Sequence, residues 1–268
     1  MTPIVDCPPV MSANTKIYPF CAAWLIVFPG ARQTWADEAA TIATDRPAVT
    51  ESSVVVPEGG LQAESGFVAA DIQGGSVLDL PEAYLRYGLL KHTELRLALP
   101  DYYRAVSGAA PGASGFGDAA VGVKQQVGPI SGVDLSVIVL LSLPTGAQAL
   151  TSHDYDPGLQ LPWSRSLSTD WTLAGQLAGY WPTVAGGRNF TKEVTLLLDR
   201  QLSAPWDAFI EYAADVPQRG GSRQLLHLGT AHKVAARHQI DFHAAVGLSA
   251  AAPRAFVGVG YAYLFLGQ

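Results

Sequence analysis

The chain has 268 residues, of which 49% are apolar and only 15% charged; 17 basic against 23 acidic side chains give a formal net charge of −6. That acidic balance, with no basic stripe anywhere, argues against nucleic acid as a partner. The single long apolar run lies before residue 37, so the remainder offers no α-helical membrane span.

Residues 1–36 read as an export signal that starts at Met11. Lys16 supplies the positive n-region, and Ile17 to Phe28 an apolar h-region. Thr34 and Ala36 stand at the −3 and −1 positions of a cleavage site before Asp37 and Glu38. A short membrane anchor is the alternative, but the run is short for a span of ~20 residues. Both cysteines, Cys7 and Cys21, fall in this stretch, so the mature chain carries no thiol chemistry. Cleavage also removes Asp6, Lys16 and Arg32, which leaves 15 basic and 22 acidic residues and a net charge of −7.

Residues 37–60 form a polar lead-in punctuated by Pro47 and Pro57. From residue 61 to 268 the apolar pattern has period two, the signature of strands. Twelve alternating segments are expected near 61–69, 77–87, 92–101, 116–127, 133–143, 157–166, 171–182, 191–202, 206–215, 223–235, 238–248 and 254–265. Each is close to the roughly 9–11 residues that a tilted membrane strand needs. Longer connections are expected at Ala70–Ser76, Tyr102–Gly115, Pro144–Asp156, Thr183–Phe190, Val216–Ser222 and Ser249–Pro253. Tighter ones fall between them, and long and short connections on alternate ends mark an outer-membrane barrel. The fold class read from this pattern is all-β: a closed antiparallel transmembrane β-barrel of about twelve strands in a single domain.

The two faces of each segment differ in kind. Leu95, Leu97 and Leu99 oppose Glu94 and Arg96; Val133 to Leu143 at alternate positions oppose Asp134, Ser136 and Ser142. In the last segment Val257, Val259, Tyr261, Tyr263 and Phe265 oppose Gly258, Gly260 and Ala262. Charges facing lipid are costly, so the polar faces are expected to line the lumen. Lys192 and Arg200 break the rule at strand ends, where they can snorkel. A tight turn near Lys91 predicts Arg86 opposite Glu94 and Tyr84 opposite Arg96. Trp163, Trp171, Trp181 and Trp206 lie near strand ends and suit interface girdles.

Several stretches together resemble the outer-membrane barrel family described as "putative MetA-pathway of phenol degradation". They are Thr44-Asp45-Arg46-Pro47, Thr50-Glu51-Ser52, Pro57-Glu58-Gly59, Gln62-Ala63-Glu64-Ser65-Gly66, Leu85-Arg86-Tyr87-Gly88 and Glu94-Leu95-Arg96. Gly117-Asp118, Gly122-Val123-Lys124, Leu143-Pro144-Thr145-Gly146, Trp171 and Gln239-Ile240-Asp241 continue the match as far as Phe265. The resemblance implies an outer-membrane protein of transporter type, at times associated with aromatic-compound pathways. Barrels of this kind commonly end on an aromatic residue recognised during assembly; here Phe265 is followed by three more residues.

The candidate pore-lining residues are Glu82, Arg86, Glu94, Arg96, Asp118, Lys124, Asp134, Asp207, Glu211, Asp241 and His243, with Glu64, Glu193, Asp199, Asp215 and Arg254 on the same faces. Such charges either select solutes, as side-chain rings do in channels, or fill a narrow lumen with ion pairs. Acids outnumber bases, which favours cations or neutral solutes. The lead-in could fold inward as a plug through Asp45, Arg46 and Glu51, or remain a disordered periplasmic lead.

His227 and His243 can share the lumen face, and His153 sits in a long connection, but none has metal-ligand spacing. No metal or cofactor is expected. Ser164 and Ser249 lack a Gly-x-Ser-x-Gly context. The expected function is passive passage of small solutes, hydrophobic or aromatic compounds among them, across the outer membrane of a Gram-negative bacterium. Outer-membrane lipids and the barrel assembly machinery are the expected partners. A barrel-borne lipid hydrolase and a soluble periplasmic ligand carrier are the alternatives.

Overall fold

The computed structural model describes residues 41–107 and 114–266. The expected signal at residues 1–36 lies outside the described residues. Every regular element among them is a strand: β1 (Leu61–Ile72), β2 (Gly75–Leu80), β3 (Tyr84–Leu90), β4 (Thr93–Ala98), β5 (Tyr102–Ser107), β6 (Gly115–Phe116), β7 (Ala119–Gln126), β8 (Asp134–Leu143) and β9 (Asp156–Ser166). β10 (Trp171–Tyr180), β11 (Thr183–Val184), β12 (Gly187–Arg188), β13 (Thr191–Ser203), β14 (Trp206–Pro217), β15 (Arg223–Ala235), β16 (His238–Gly247) and β17 (Ala255–Phe265) complete the chain.

All but the small β11–β12 hairpin join one sheet, and β17 pairs with β1 from Leu61↔Phe265 to Asp71↔Ala255. That pairing closes the sheet into an antiparallel barrel, and among the described residues only the two-residue β6 is left at an edge. Three of its staves are interrupted. β2 and β3 lie end to end against β1, β5 and β4 against them, and β6 and β7 against those in turn. The barrel therefore has twelve staves, and each falls where alternation placed it.

The interruptions are at residues 81–83, 99–101 and 117–118, side by side on neighbouring staves. Pro81 and Pro100 have no N–H to give the ladder. Glu82 takes a left-handed backbone, φ 42°, as an extra residue at a bulge does. Across each interruption the alternation slips by one. In β3 and β4 the even-numbered Arg86, Glu94 and Arg96 are buried, whereas the odd-numbered Asp79, across the first interruption, and Asp101, at the end of the second, are buried too. Phe116 in β6 is exposed although even-numbered Lys124 in β7 is buried.

The connections depart from expectation in two places. The first is a two-residue turn at 73–74, because β1 and β2 extend the hairpin through the stretch expected as a loop, Ala70–Ser76. The segment Tyr102–Gly115, expected as a loop, begins and ends in strand, as β5 and β6. The hairpin register also differs: Arg86 stands opposite Arg96 and Gly88 opposite Glu94, with an irregularity between Gly88 and Leu90. A shift of two keeps each residue on its face. Arg86 Nε still reaches Glu94 diagonally at 2.8 Å, and the Arg96 guanidinium lies 4.8 Å from the centre of the Tyr84 ring.

The outer wall is apolar. Val139, Leu196, Phe242 and Val257 are more than half exposed, while Arg86 and Lys124 on the inner wall are fully buried. Trp171, Trp206, Tyr261 and Phe265 are exposed near the end with the short turns, where the Arg200 guanidinium sits 5.1 Å from the Trp171 ring. Aromatic rings suit the membrane–water interface because one end is apolar and the other wet. Leu196 is mid-stave on the lipid face. Leu196→Arg is expected to destabilise the barrel by about 2–4 kcal/mol in equilibrium urea unfolding from lipid bilayers.

Candidate functional site

Residues 41–57 have no sheet of their own, yet their N–H groups need partners. They find them on inward-facing side chains around the barrel. Ile42 starts at the β15–β16 turn, its N–H bonded to Ala236 O at 2.9 Å, and Gln239 donates to Thr44. The N–H groups of Asp45 and Arg46 donate to the Glu64 carboxylate at 3.1 and 3.0 Å. Those of Val49 and Thr50 donate to Glu211 at 2.9 and 2.7 Å. Glu51 N–H turns to Gln176, the Ser53 hydroxyl to Ser164, and Val56 N–H to Glu94 at 2.8 Å. The segment leaves beside β3, where Gly59 donates to Gly88 O and Gly88 to Gly60 O. Since β1, β4, β9, β10, β14 and β16 all supply partners, residues 41–57 lie inside the barrel.

Buried charges tie the segment down. Arg86 holds Glu64 at 3.0 Å, Glu94 at 2.8 Å and Asp45 at 3.2 Å. Arg96 pairs with Asp45 and, at 2.7 Å, with Glu51. Lys124 Nζ lies 3.6 Å from Asp45. Three bases from β3, β4 and β7 thus share four acids, two from the segment and two from the wall. Each ion is desolvated, so the cluster is a registration device more than a source of net stability.

Arg46 is held separately. Its guanidinium pairs with Glu82 and, at 3.3 Å, with Asp241. It fills a slot at Gly66 and Gly260, which are cross-strand partners; a Cβ on either glycine would overlap it. The small inward face of β17 is occupied: Arg46 packs over Gly260, and Ile42 and Val56 pack with Ala262 and Leu264.

Glu211 also anchors a relay, accepting from or sharing a proton with His227 Nδ1 at 2.8 Å, while His227 Nε2 lies 3.0 Å from His243 Nδ1. The two imidazoles are boxed by rings, with Phe209 5.2 Å and Phe256 5.5 Å from His227. Phe256 belongs to an inward apolar cluster with Val68, Ala70, Leu225, Ala245 and, from the β16–β17 connection, Ala252. One wall is therefore charged and another apolar. A small cleft of about 40 Å³ opens beside the inner segment, lined by Asp45, Arg46, Pro47, Ala48, Glu64, Glu82, Tyr84 and His243.

The other expected lumen residues are dispersed. Asp118 accepts from Gly146 and Ser152 N–H and so holds the β8–β9 connection. Asp207 pairs with Lys233 at 3.3 Å, and Asp215 with Arg223 at 3.0 Å. Asp134 is half-buried opposite Ser164, and Asp199 stands opposite Thr172 and Phe209. Glu193 is buried and accepts from Gln176 at 2.7 Å. Arg254 departs from expectation: it precedes β17, is exposed, and lies 3.7 Å from Asp71. Asp79, Asp101, Gln62 and Gln176 are buried lumen residues that were not anticipated. Even-numbered alternation could have found Gln62 and Gln176; the slips hide Asp79 and Asp101. Ser164 and Ser249, the candidate hydrolase serines, bond Ser53 and Ser222 respectively.

Solved structures share this architecture. An outer membrane channel from Pseudomonas putida F1 superposes with a TM-score of 0.59 at 14% identity, covering 80% of this chain and 98% of that one. The KdgM porin gives 0.54 at 11% identity, covering 76% and 99%, and the NanC porin 0.54 at 8%, covering 76% and 98%. No curated protein sequence matches the chain. The family model described as "Putative MetA-pathway of phenol degradation" matches residues 44–265, from the inner segment to the end of β17, and the chain belongs to that family.

Proposed function

We propose that this protein is an outer-membrane channel of a Gram-negative bacterium, exported by the signal at residues 1–36 and narrowed by residues 41–57. The observation that carries the reading is a lipid-facing barrel whose polar lumen is crossed by a segment hydrogen-bonded to the wall, with a small cleft left beside it. The pore-lining set is Glu82, Arg86, Glu94, Arg96, Lys124, Glu211, Asp241 and His243, with Asp45, Arg46 and Glu51 as the plug; Asp118, Asp134 and Asp207 flank it. The solutes are small and neutral or cationic. The Phe209, Phe256 and Leu225 wall suits compounds with an apolar or aromatic face, in keeping with the pathway for which the family is named. Lipids meet the outer wall, and the barrel assembly machinery is the partner that inserts it.

Conductance in planar bilayers tests this. The mature protein is expected to show small, discrete channels, and deletion of residues 41–57 to enlarge them. Gly260→Val, which overlaps the Arg46 guanidinium, is expected to move conductance the same way without shortening the chain. Absence of channels and of solute uptake into liposomes would sink the channel reading; unchanged conductance in both variants would sink the plug.

The segment's anchoring gives a second outcome. Arg86→Met leaves Glu64 and Glu94 buried without their partner, and is expected to cost about 3–5 kcal/mol in urea unfolding. Lys192→Met, outward and at a strand end, is expected to change little.

A further inference from the structure

The basic wall of the lumen is completed by acids that are not its own. Arg86, Arg96 and Lys124 stand on the neighbouring strands β3, β4 and β7, and the wall sets Glu64 and Glu94 against them. Arg86 takes both of those acids, at 3.0 and 2.8 Å. From the wall, Arg96 has a 3.4 Å approach of Nε to Glu94. Its closer partners are Asp45 and, at 2.7 Å, Glu51; Lys124 Nζ lies 3.6 Å from Asp45. Both of these acids belong to the inner segment. Donors are still left over, because the buried Lys124 Nζ and Arg96 Nη1 have no hydrogen-bond partner among the described residues. Buried N–H groups of a charged side chain without an acceptor are unfavourable, so this wall can accept more carboxylate oxygen than the segment supplies.

The segment that brings Asp45 and Glu51 is detachable by construction. Residues 41–57 belong to no strand, so the ladders of the barrel do not run through them. Ile42 enters at the β15–β16 turn, and Gly59 and Gly60 leave beside Gly88, close to the β3–β4 turn. Both ends are therefore at the end with the short turns, and the segment can withdraw as a loop without threading the barrel. Withdrawal on its own strands Arg96 and Lys124 as buried charges without their closest partners, which is costly. A carboxylate arriving from solution removes that cost, since it exchanges like for like.

We infer that Arg96 and Lys124, with Arg86 beside them, form a binding site for a small carboxylate-bearing molecule, and that Asp45 and Glu51 fill it as an internal mimic. The donors name the ligand class: a guanidinium fork and an ammonium match the paired oxygens of a carboxylate. The ligand competes with the segment and so releases it. The inference concerns what displaces residues 41–57 rather than what passes, and it rests on the reading of that segment as the plug. A tethered competitor acts at an effective concentration on the order of millimolar, so the free carboxylate is expected to work in the same range.

Two measurements on the detergent-purified mature protein test it, at neutral pH and fixed ionic strength, with sodium succinate as the probe and uncharged dimethyl succinate as the control. In the first, Ala48→Cys places a thiol on the segment, and its rate of modification by a maleimide is followed. Succinate is expected to accelerate labelling severalfold and saturably, dimethyl succinate to leave it unchanged, and Lys124→Met in the same background to abolish the acceleration. In the second, calorimetry is expected to show weak succinate binding to the wild type and severalfold tighter binding to Asp45→Asn/Glu51→Gln, in which the internal competitor is gone. Absence of succinate binding in both proteins overturns the site. Tighter binding by the double variant with unaccelerated labelling overturns its part in releasing the segment. Labelling as fast as in urea-unfolded protein before any ligand is added overturns the plug reading instead, and the calorimetry then decides the site by itself. Neither readout depends on conductance. Should the double variant not fold, Glu51→Gln alone carries the same comparison.

Discussion

An extended chain inside a closed barrel cannot leave its N–H groups bare, and a charged lumen wall cannot leave its carboxylates bare. Each deficit meets the other here. Glu64, Glu94 and Glu211 accept from the amides of residues 45, 46, 49, 50 and 56. Glu64 and Glu94 are in turn held by Arg86, and Glu211 by His227. A buried polar group left alone costs its full desolvation, whereas a satisfied network costs little. The segment and the wall therefore stand or fall together, and the path of residues 41–57 follows the acids of the wall.

Asp45 is the point where the two sets cross. It accepts from Ser52 N–H, which bends the segment back on itself, and it faces Arg86, Arg96 and Lys124 from three different strands. Beside it, along β1 and β17, the need is for space rather than charge. Gly66 and Gly260 make room for the Arg46 guanidinium, and Gly258 for the His243 ring. The bare face of β17 is thus the counterpart of bulky groups that arrive from elsewhere in the chain.

The interrupted staves show where a local rule meets its limit. Pro81 and Pro100 mark the interruptions in the sequence, since neither can donate to a ladder. What they do to the alternation follows only from how many residues each interruption absorbs, and that is settled by pairing with the neighbouring stave. Asp79 read from the phase of Arg86 belongs on the lipid face, where a carboxylate is costly; the slip brings it inside. The same holds for Asp101 against Arg96. The hairpin register around Lys91 moved by two for a related reason, an irregularity between Gly88 and Leu90. Faces survived that shift because side chains repeat every two residues.

Twelve staves, their outward and inward faces and the inward charges of β3, β4, β7, β14 and β16 are determined by the sequence itself. Lipid outside and polar groups inside impose a period of two that needs no knowledge of neighbours. The pairing of Arg46 with Glu82 and Asp241, the Glu211–His227–His243 relay and the inward turn of Asp79 and Asp101 are decided by tertiary structure alone. They join residues as far as 195 positions apart. Such contacts depend on strand register, barrel closure and the path of residues 41–57, and no local periodicity encodes any of these.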